Sequence, residues 1–256
     1  MFNLYGDESH LDTAVTYALV IVPENRMFDV EQALTEVKLS FGGAADSRIH
    51  CRELFHPAAQ AKTDWKALSI QELFEMFCMI GNSLRLSGAS FRLGHVDMLD
   101  TEPFLFGNTS PSRTPTGPKQ LATFAYMLAL ADLEQSPGYD NLNLWIDPDP
   151  TKIEWFGRRR QAGRHPISND IYGPLKPQFI PVGAKPTLLD VADLLAFSAA
   201  HIHSHKKTQK TEFFNEAVKS FNANYRRMQF HPQAFEDAPW QTAELVRRSQ
   251  AASSAS

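Results

Sequence analysis

The sequence predicts an α/β protein in which helices cover a mixed sheet. Two strand-like runs, "FNLYG" and "TAVTYALVIVP", follow one another across a short polar connection, close enough to pair as neighbours. Helical periodicities then alternate with further short strand-like runs, which is the pattern of a layered α/β fold. Hydrophobic residues make up 43% of the 256 and charged residues 21%, so the chain can bury a sizeable core.

The first strand is expected over Phe2 to Gly6 and the second over Thr13 to Pro23, linked through Glu8 to Asp12. "DVEQALTEVKLSFG" spaces Val30, Ala33, Leu34, Val37 and Leu39 for one face of a helix and stops at Gly42-Gly43. "SIQELFEMFCMIGNSLRLSG" repeats that pattern, with Ser69 placed to cap it and Gly88 to end it. "ASFRLGHVDM" alternates apolar and polar residues as a strand does.

From Leu99 to Pro118 the composition turns to Pro, Thr, Ser and Gly, a surface excursion. "KQLATFAYMLALADLEQ" is the most apolar helix, and "NLNLWIDPDP" a short strand ending in carboxylates and prolines. Residues 157–186 read as a basic loop carrying the short strand "QFIPV". "TLLDVADLLAFSAAHIHSH" is a helix, and a last one is expected from Glu212 to about Gln229. The organisation is one domain over residues 1–240, with 241–256 a disordered tail.

Bulk properties exclude several function classes. The net charge of −4 gives no overall basic field toward nucleic acid, so such contact would need a local patch. Cys51 and Cys78 fit no metal-ligand spacing and point to a reducing compartment. There is no run of roughly 20 apolar residues and no secretory leader pattern, so a cytoplasmic protein without membrane contact is expected. Glycine-rich phosphate loops are absent.

The acids are the informative residues. Asp7 and Glu8 close the first apolar run, and side-chain alternation turns them to opposite faces. Asp147 follows "LNLWI" in the same way; an Asp-Pro turn is the alternative reading of both Asp147 and Asp149, and the stronger one for Asp149. Asp190 and Asp193 stand three apart on a helix otherwise built of Leu, Val, Ala and Phe. Asp193, flanked by Val191, Ala192, Leu194 and Leu195, needs a partner, since a buried carboxylate without one is costly. Asp190 is better explained as a first-turn acid at the positive end of the helix. His50 and Glu53 are three apart and read as an ordinary surface pair unless the other acids meet them.

Acids gathered from separate elements repel one another unless a hard cation sits among them, and Mg²⁺ and Mn²⁺ prefer oxygen ligands. Two such ions about 4 Å apart clamp the attacking and leaving oxygens of a phosphodiester. The basic run Arg158, Arg159, Arg160 and Arg164 is a candidate phosphate-binding patch, or else a solvated loop. His201 and His205 stand one helical turn apart, but the alternating His201, His203 and His205 share no face.

Four segments together resemble domain-of-unknown-function family 3800, bacterial and phage proteins with a ribonuclease H-like fold. "YGDESH" is similar to its opening Asp-Glu-Ser-Gly signature, "RIHCRELF" to its His-containing segment, "LWIDPDP" to a strand-end Asp, and "TLLDVADLLAFSAAH" to its closing Ala-Asp-Leu helix. The resemblance covers residues 3 to about 205. It implies an α/β, ribonuclease H-like mixed five-stranded sheet flanked by helices, with clustered acids binding Mg²⁺ or Mn²⁺ for phosphodiester hydrolysis. Asp7, Asp147 and Asp193 then match the metal-binding acids, and Glu8 and Glu53 match acids that contribute. His10 replaces the usual glycine of the signature, which widens the turn and puts His10 within possible reach of the acids.

The expectation is thus a metal-dependent nuclease, with a non-catalytic binding or regulatory protein of the same fold as the alternative.

Overall fold

The computed structural model describes residues 1–12, 14–97, 142–146, 177–179, 186–203 and 210–227, with positions 122, 125, 126, 128–130 and 133 of an intervening segment. The chain is α/β. Its strands are β1 (Phe2–Leu11), β2 (Ala14–Pro23), β3 (Ser90–Asp97), β4 (Leu142–Ile146), β5 (Pro177–Phe179) and β6 (Asn224–Arg227). Among the described residues the α-helices with continuous bounds are α1 (Met27–Ser40), α2 (Cys51–Leu54), α3 (Pro57–Gln60), α4 (Ile70–Leu86), α5 (Thr187–His203) and α6 (Thr211–Phe221).

The sheet order is β5-β4-β1-β2-β3-β6. β1, β2 and β3 form an antiparallel meander, while β4 runs parallel to β1, β5 parallel to β4 and β6 parallel to β3. The mixed five-stranded sheet expected from sequence is therefore present, with β6 added at its edge. The sequence pattern predicts a last helix that runs on through Asn224–Arg227. Instead α6 ends at Phe221, where Asn222 takes the left-handed conformation at φ 49° and turns the chain into the sheet.

β1 is also longer than expected. Asp7, Glu8, Ser9 and His10 continue it, paired residue by residue with Ala18, Tyr17, Thr16 and Val15 of β2. Polar residues remain in a strand here because the neighbour supplies a full ladder of backbone partners. The ladder runs to the Leu11–Ala14 pair, and Asp12 takes φ 53°.

Alternation divides the sheet into two faces. Tyr5, Ala18, Val20, Val22, Phe91 and Leu93 face the main core, which α1, α4, α5 and α6 complete. α5 is the central helix of that layer, with Leu188, Leu189, Val191, Ala192, Leu194, Leu195, Ala196 and Ala199 all at 0% exposure. Phe55, Phe74, Phe77, Phe197 and Phe214 stack and edge against one another at ring-centre distances of 4.8–6.0 Å. The opposite face meets the segment that includes Ala125 and Tyr126, where Tyr17 and Tyr126 form an edge contact at 5.1 Å. A Cβ on Gly94 would run into the carbonyl oxygen of Ala125, so glycine is what allows that approach.

α4 begins as expected. The Ser69 hydroxyl accepts from the Glu72 amide at 3.3 Å, and the Glu72 carboxylate accepts from the Ser69 amide at 2.7 Å. Gly88 closes it at φ +103°. Among the described residues no helix is long and apolar enough to cross a membrane.

Candidate functional site

Asp7 sits in mid-strand on the face that α5 covers, between Tyr5 and Ser9 and opposite Ala18, and is 7% exposed. Its Oδ1 accepts from the Glu8 amide at 3.0 Å. Asp193 arrives from α5. Burial first, and then the negative charge of Asp7, push the Asp193 carboxyl up to about 6. The Cys51 amide, donating to its Oδ2 at 2.9 Å, and the charge of His50 pull the other way, and Asp190 adds a weaker upward push. The first strand and the penultimate described helix thus bring two carboxylates, 186 positions apart in the chain (193 − 7), into one electrostatic environment.

Asp190 has a different setting. Arg48 Nε donates to its Oδ1 and Oδ2 at 3.1 and 2.9 Å, the second Arg48 nitrogen donates to Oδ1, and the Ile49 amide donates to Oδ2 at 3.0 Å. The carboxylate is 3% exposed and fully paired as a structural ion, a role the first-turn reading of Asp190 had not included. Lys38 lies nearby, wholly buried, with no hydrogen-bond partner for Nζ among the described residues. Burial pulls its pKa down, against the charge of Asp190.

The two acids of α5 therefore hold one segment. Ile49 donates to Asp190 and Cys51 donates to Asp193, while Trp65 Nε1 donates to the Arg48 carbonyl at 2.6 Å. The side chains of Ile49 and Cys51 are buried and that of His50, between them, is exposed. His50 is not helical, as its spacing to Glu53 had suggested, but extended at φ −118°, ψ 104°, immediately before α2. Its Nδ1 still lies 3.3 Å from the Glu53 carboxylate, and both side chains are about half exposed, at 51% and 52%. His50 lies close enough to Asp193 to act on it electrostatically. The Cys51 thiol is fully buried, and burial together with Asp193, Asp190 and Asp7 raises its pKa well above the ordinary thiol value. That environment keeps it a thiol and gives it no nucleophilic role.

Glu8 belongs to the other face of the sheet, across from Tyr17, with His10 4.0 Å away. Strand alternation thus separates Glu8 and His10 from Asp7, and the wider turn expected to bring His10 to the acids does not form. β4 ends at Ile146, paired with Gly6 beside Asp7. Asp147, the following residue, lies outside the described residues, as do Asp149, Arg158, Arg159, Arg160, Arg164 and His205. His201 Nδ1 is 2.9 Å from the Phe197 carbonyl, an intrahelical contact.

Among the described residues no group of three or more His, Cys, Asp and Glu side chains is arranged to hold a metal ion. Asp7 and Asp193 supply two carboxylates of the hard-oxygen type that Mg²⁺ and Mn²⁺ take. The residue the sequence reading missed is Arg48. Its partner is 142 positions away, and nothing local to "SRIHC" announces the pairing.

Comparison of the chain with protein-family models, with curated proteins and with solved structures gives no match.

Proposed function

We propose that this chain is a divalent-metal-dependent phosphodiesterase, a nuclease built on a ribonuclease H-like sheet. The observation that carries the reading is that Asp7, on the sheet face that α5 covers, and Asp193 of α5 share one electrostatic environment, with Asp193 pushed up to about 6 by burial and by the charge of Asp7. A pair of carboxylates that repel in the absence of a cation is stabilised when one binds between them. The parallel pairing of β4 with β1, ending at Ile146 opposite Gly6, supports adding Asp147 to the pair as the third metal ligand. Glu53, at the rim with His50, is the candidate fourth acid.

In this reading Asp7, Asp147 and Asp193 hold Mg²⁺ or Mn²⁺, and the ion supplies a water of lowered pKa and a counter-charge for the phosphate. The protein's own contribution is rigidity. Asp7 is fixed by a strand paired on both sides, and Asp193 by a buried helix whose neighbour Asp190 is locked to Arg48. Arg158, Arg159, Arg160 and Arg164 are assigned to the phosphates of a nucleic-acid substrate. The described geometry favours Glu53 over Glu8 as the completing acid, because Glu8 lies on the opposite face.

The test is a thermal melt with excess Mg²⁺ or Mn²⁺, followed by hydrolysis assays on RNA, DNA and hybrid substrates. A ligand of the native state raises Tm with its occupancy. The expected result is a rise in the wild type that is lost in both Asp7→Asn and Asp193→Asn, together with metal-dependent cleavage. No rise in the wild type, or an equal rise in the two variants, sinks the proposal and leaves a binding protein of the same fold.

A further inference from the structure

A second polar group lies on the same sheet face, two strands away from Asp7. Thr16 and His95 are cross-strand partners on β2 and β3, one row beyond the Ala18–Leu93 pair that adjoins Asp7. Both are at 0% exposure, and Thr16 Oγ1 is 2.8 Å from His95 Nδ1. The last turn of α5 lays the ring of His203 over His95 with centres 4.5 Å apart and planes tilted 41°. β6 adds Tyr225, whose ring is 5.1 Å from His203 and 6.3 Å from His95.

Two atoms in this group are buried without any hydrogen-bond partner among the described residues: His95 Nε2 and Tyr225 Oη. Buried polar atoms are nearly always paired, with protein, water or an ion. A neutral imidazole is the form of histidine that ligates metals. In the tautomer whose Nδ1–H donates to Thr16 Oγ1, the lone pair lies on Nε2. A ring nitrogen fixed through its partner nitrogen by an oxygen acceptor is the usual support of a metal-binding histidine. Imidazole ligands at about 2.0–2.1 Å from a shared ion bring their ring centres to on the order of 4–6 Å, which the observed spacing meets.

We propose that His95 and His203 bind a divalent transition-metal ion, with Tyr225 Oη hydrogen-bonded to a water on that ion. Two imidazoles suit Zn²⁺, Co²⁺ or Ni²⁺ and not the hard Mg²⁺ expected of a carboxylate pair, so the two sites differ in chemistry. The ion ties the end of α5 and the edge strand β6 to the middle of the sheet. The buried carboxylate of Asp97 offsets part of its charge, and the guanidinium of Arg227 opposes it. The inference does not depend on nuclease activity.

The experiment is a titration of the metal-free full chain, made without a histidine tag, with Co²⁺ followed by visible absorption and then by Zn²⁺ displacement. One equivalent of Co²⁺ is expected to give d–d bands of protein-bound ion that Zn²⁺ abolishes. The bands are lost in His203→Gln and kept in Asp7→Asn and His201→Gln. Thr16→Val, which keeps both ligands and removes their support, weakens Zn²⁺ binding by about 10–100-fold. Absence of bands in the wild type overturns the proposal, as does their persistence in His203→Gln or their loss in Asp7→Asn. His95→Gln, if it folds, must match His203→Gln. If it does not fold, His203→Gln, at a half-buried position, decides the matter, with its circular dichroism as the folding control.

Discussion

The first turn of α5 and the turn after it hold one aspartate each, in opposite electrostatic conditions. Asp190 is only 3% exposed and surrounded by donors: two nitrogens of Arg48 and the Ile49 amide. Asp193 has one amide donor, from Cys51, and feels the negative charge of Asp7. The same residue type, three positions apart on one helix, is an anchored ion in one place and a strained acid in the other. The difference identifies which of the two is available for a ligand. A carboxylate whose lone pairs are taken by a bidentate guanidinium has little left to offer a cation, whereas one raised by a like charge gains from it.

The largest effect tests the anchored side. Arg48→Met leaves Asp190 buried with the Ile49 amide as its remaining donor of the set described. Removing one partner of a buried pair is far costlier than removing both, and the half-exposed position of Arg48 moderates the loss. We expect destabilisation of about 3 kcal/mol by denaturant unfolding. The double variant Arg48→Met/Asp190→Asn should recover part of it. A single variant as stable as wild type would mean that another cation, with Lys38 the nearest buried one, neutralises Asp190 instead.

A smaller effect of opposite sign tests the strained side. Asp193 has its folded pKa raised from an ordinary 3.8 to about 6. The unfolded chain therefore ionises first, and the native state loses stability as pH climbs from about 4 to 6, with the full penalty above that. Asn at this position keeps an oxygen for the Cys51 amide and carries no charge. Asp193→Asn is expected to stabilise the metal-free protein by about 2 kcal/mol at pH 8 and to change little at pH 4. Saturating Mn²⁺ should reverse the order at pH 8, because wild type alone gains from the ion. If the variant is less stable than wild type at pH 8 without metal, the acid is not strained and the contrast with Asp190 fails.

The contrast was half legible in the sequence. Asp193 within "VADLLAF" and Asp7 after "FNLYG" stand out because each is an acid in an apolar setting, and convergence follows from asking what would compensate them. Ser69 and Gly88 were legible too, since caps and stops are local chemistry. Arg48 was not, because a pairing across 142 positions leaves no trace in either neighbourhood. Nor was β6. "NYRR" has no apolar alternation, and it becomes a strand by pairing with β3 after Asn222 breaks the helix. The extension of β1 through "DESHL" has the same cause, because β2 supplies the ladder that the polar residues do not advertise.

The smallest effect concerns the rim between these two settings. Glu53 and His50 are about half exposed, and an exposed ion pair of this kind contributes about 0–1 kcal/mol. Glu53→Gln should leave the melting temperature of the metal-free chain almost unchanged at pH 7. Its value lies in the second measurement, the Mn²⁺-dependent rise in Tm. If Glu53 joins Asp7 and Asp193 around the ion, the rise shrinks although the metal-free protein is unaffected, a split that a surface pair cannot produce. If the rise is intact, the site closes without α2, and the segment pinned by Asp190 and Asp193 serves to hold those acids in place and not to add a ligand. Repeating the measurement on Glu8→Gln separates the faces of the sheet. Alternation puts Glu8 on the far side, so its removal should leave the rise untouched.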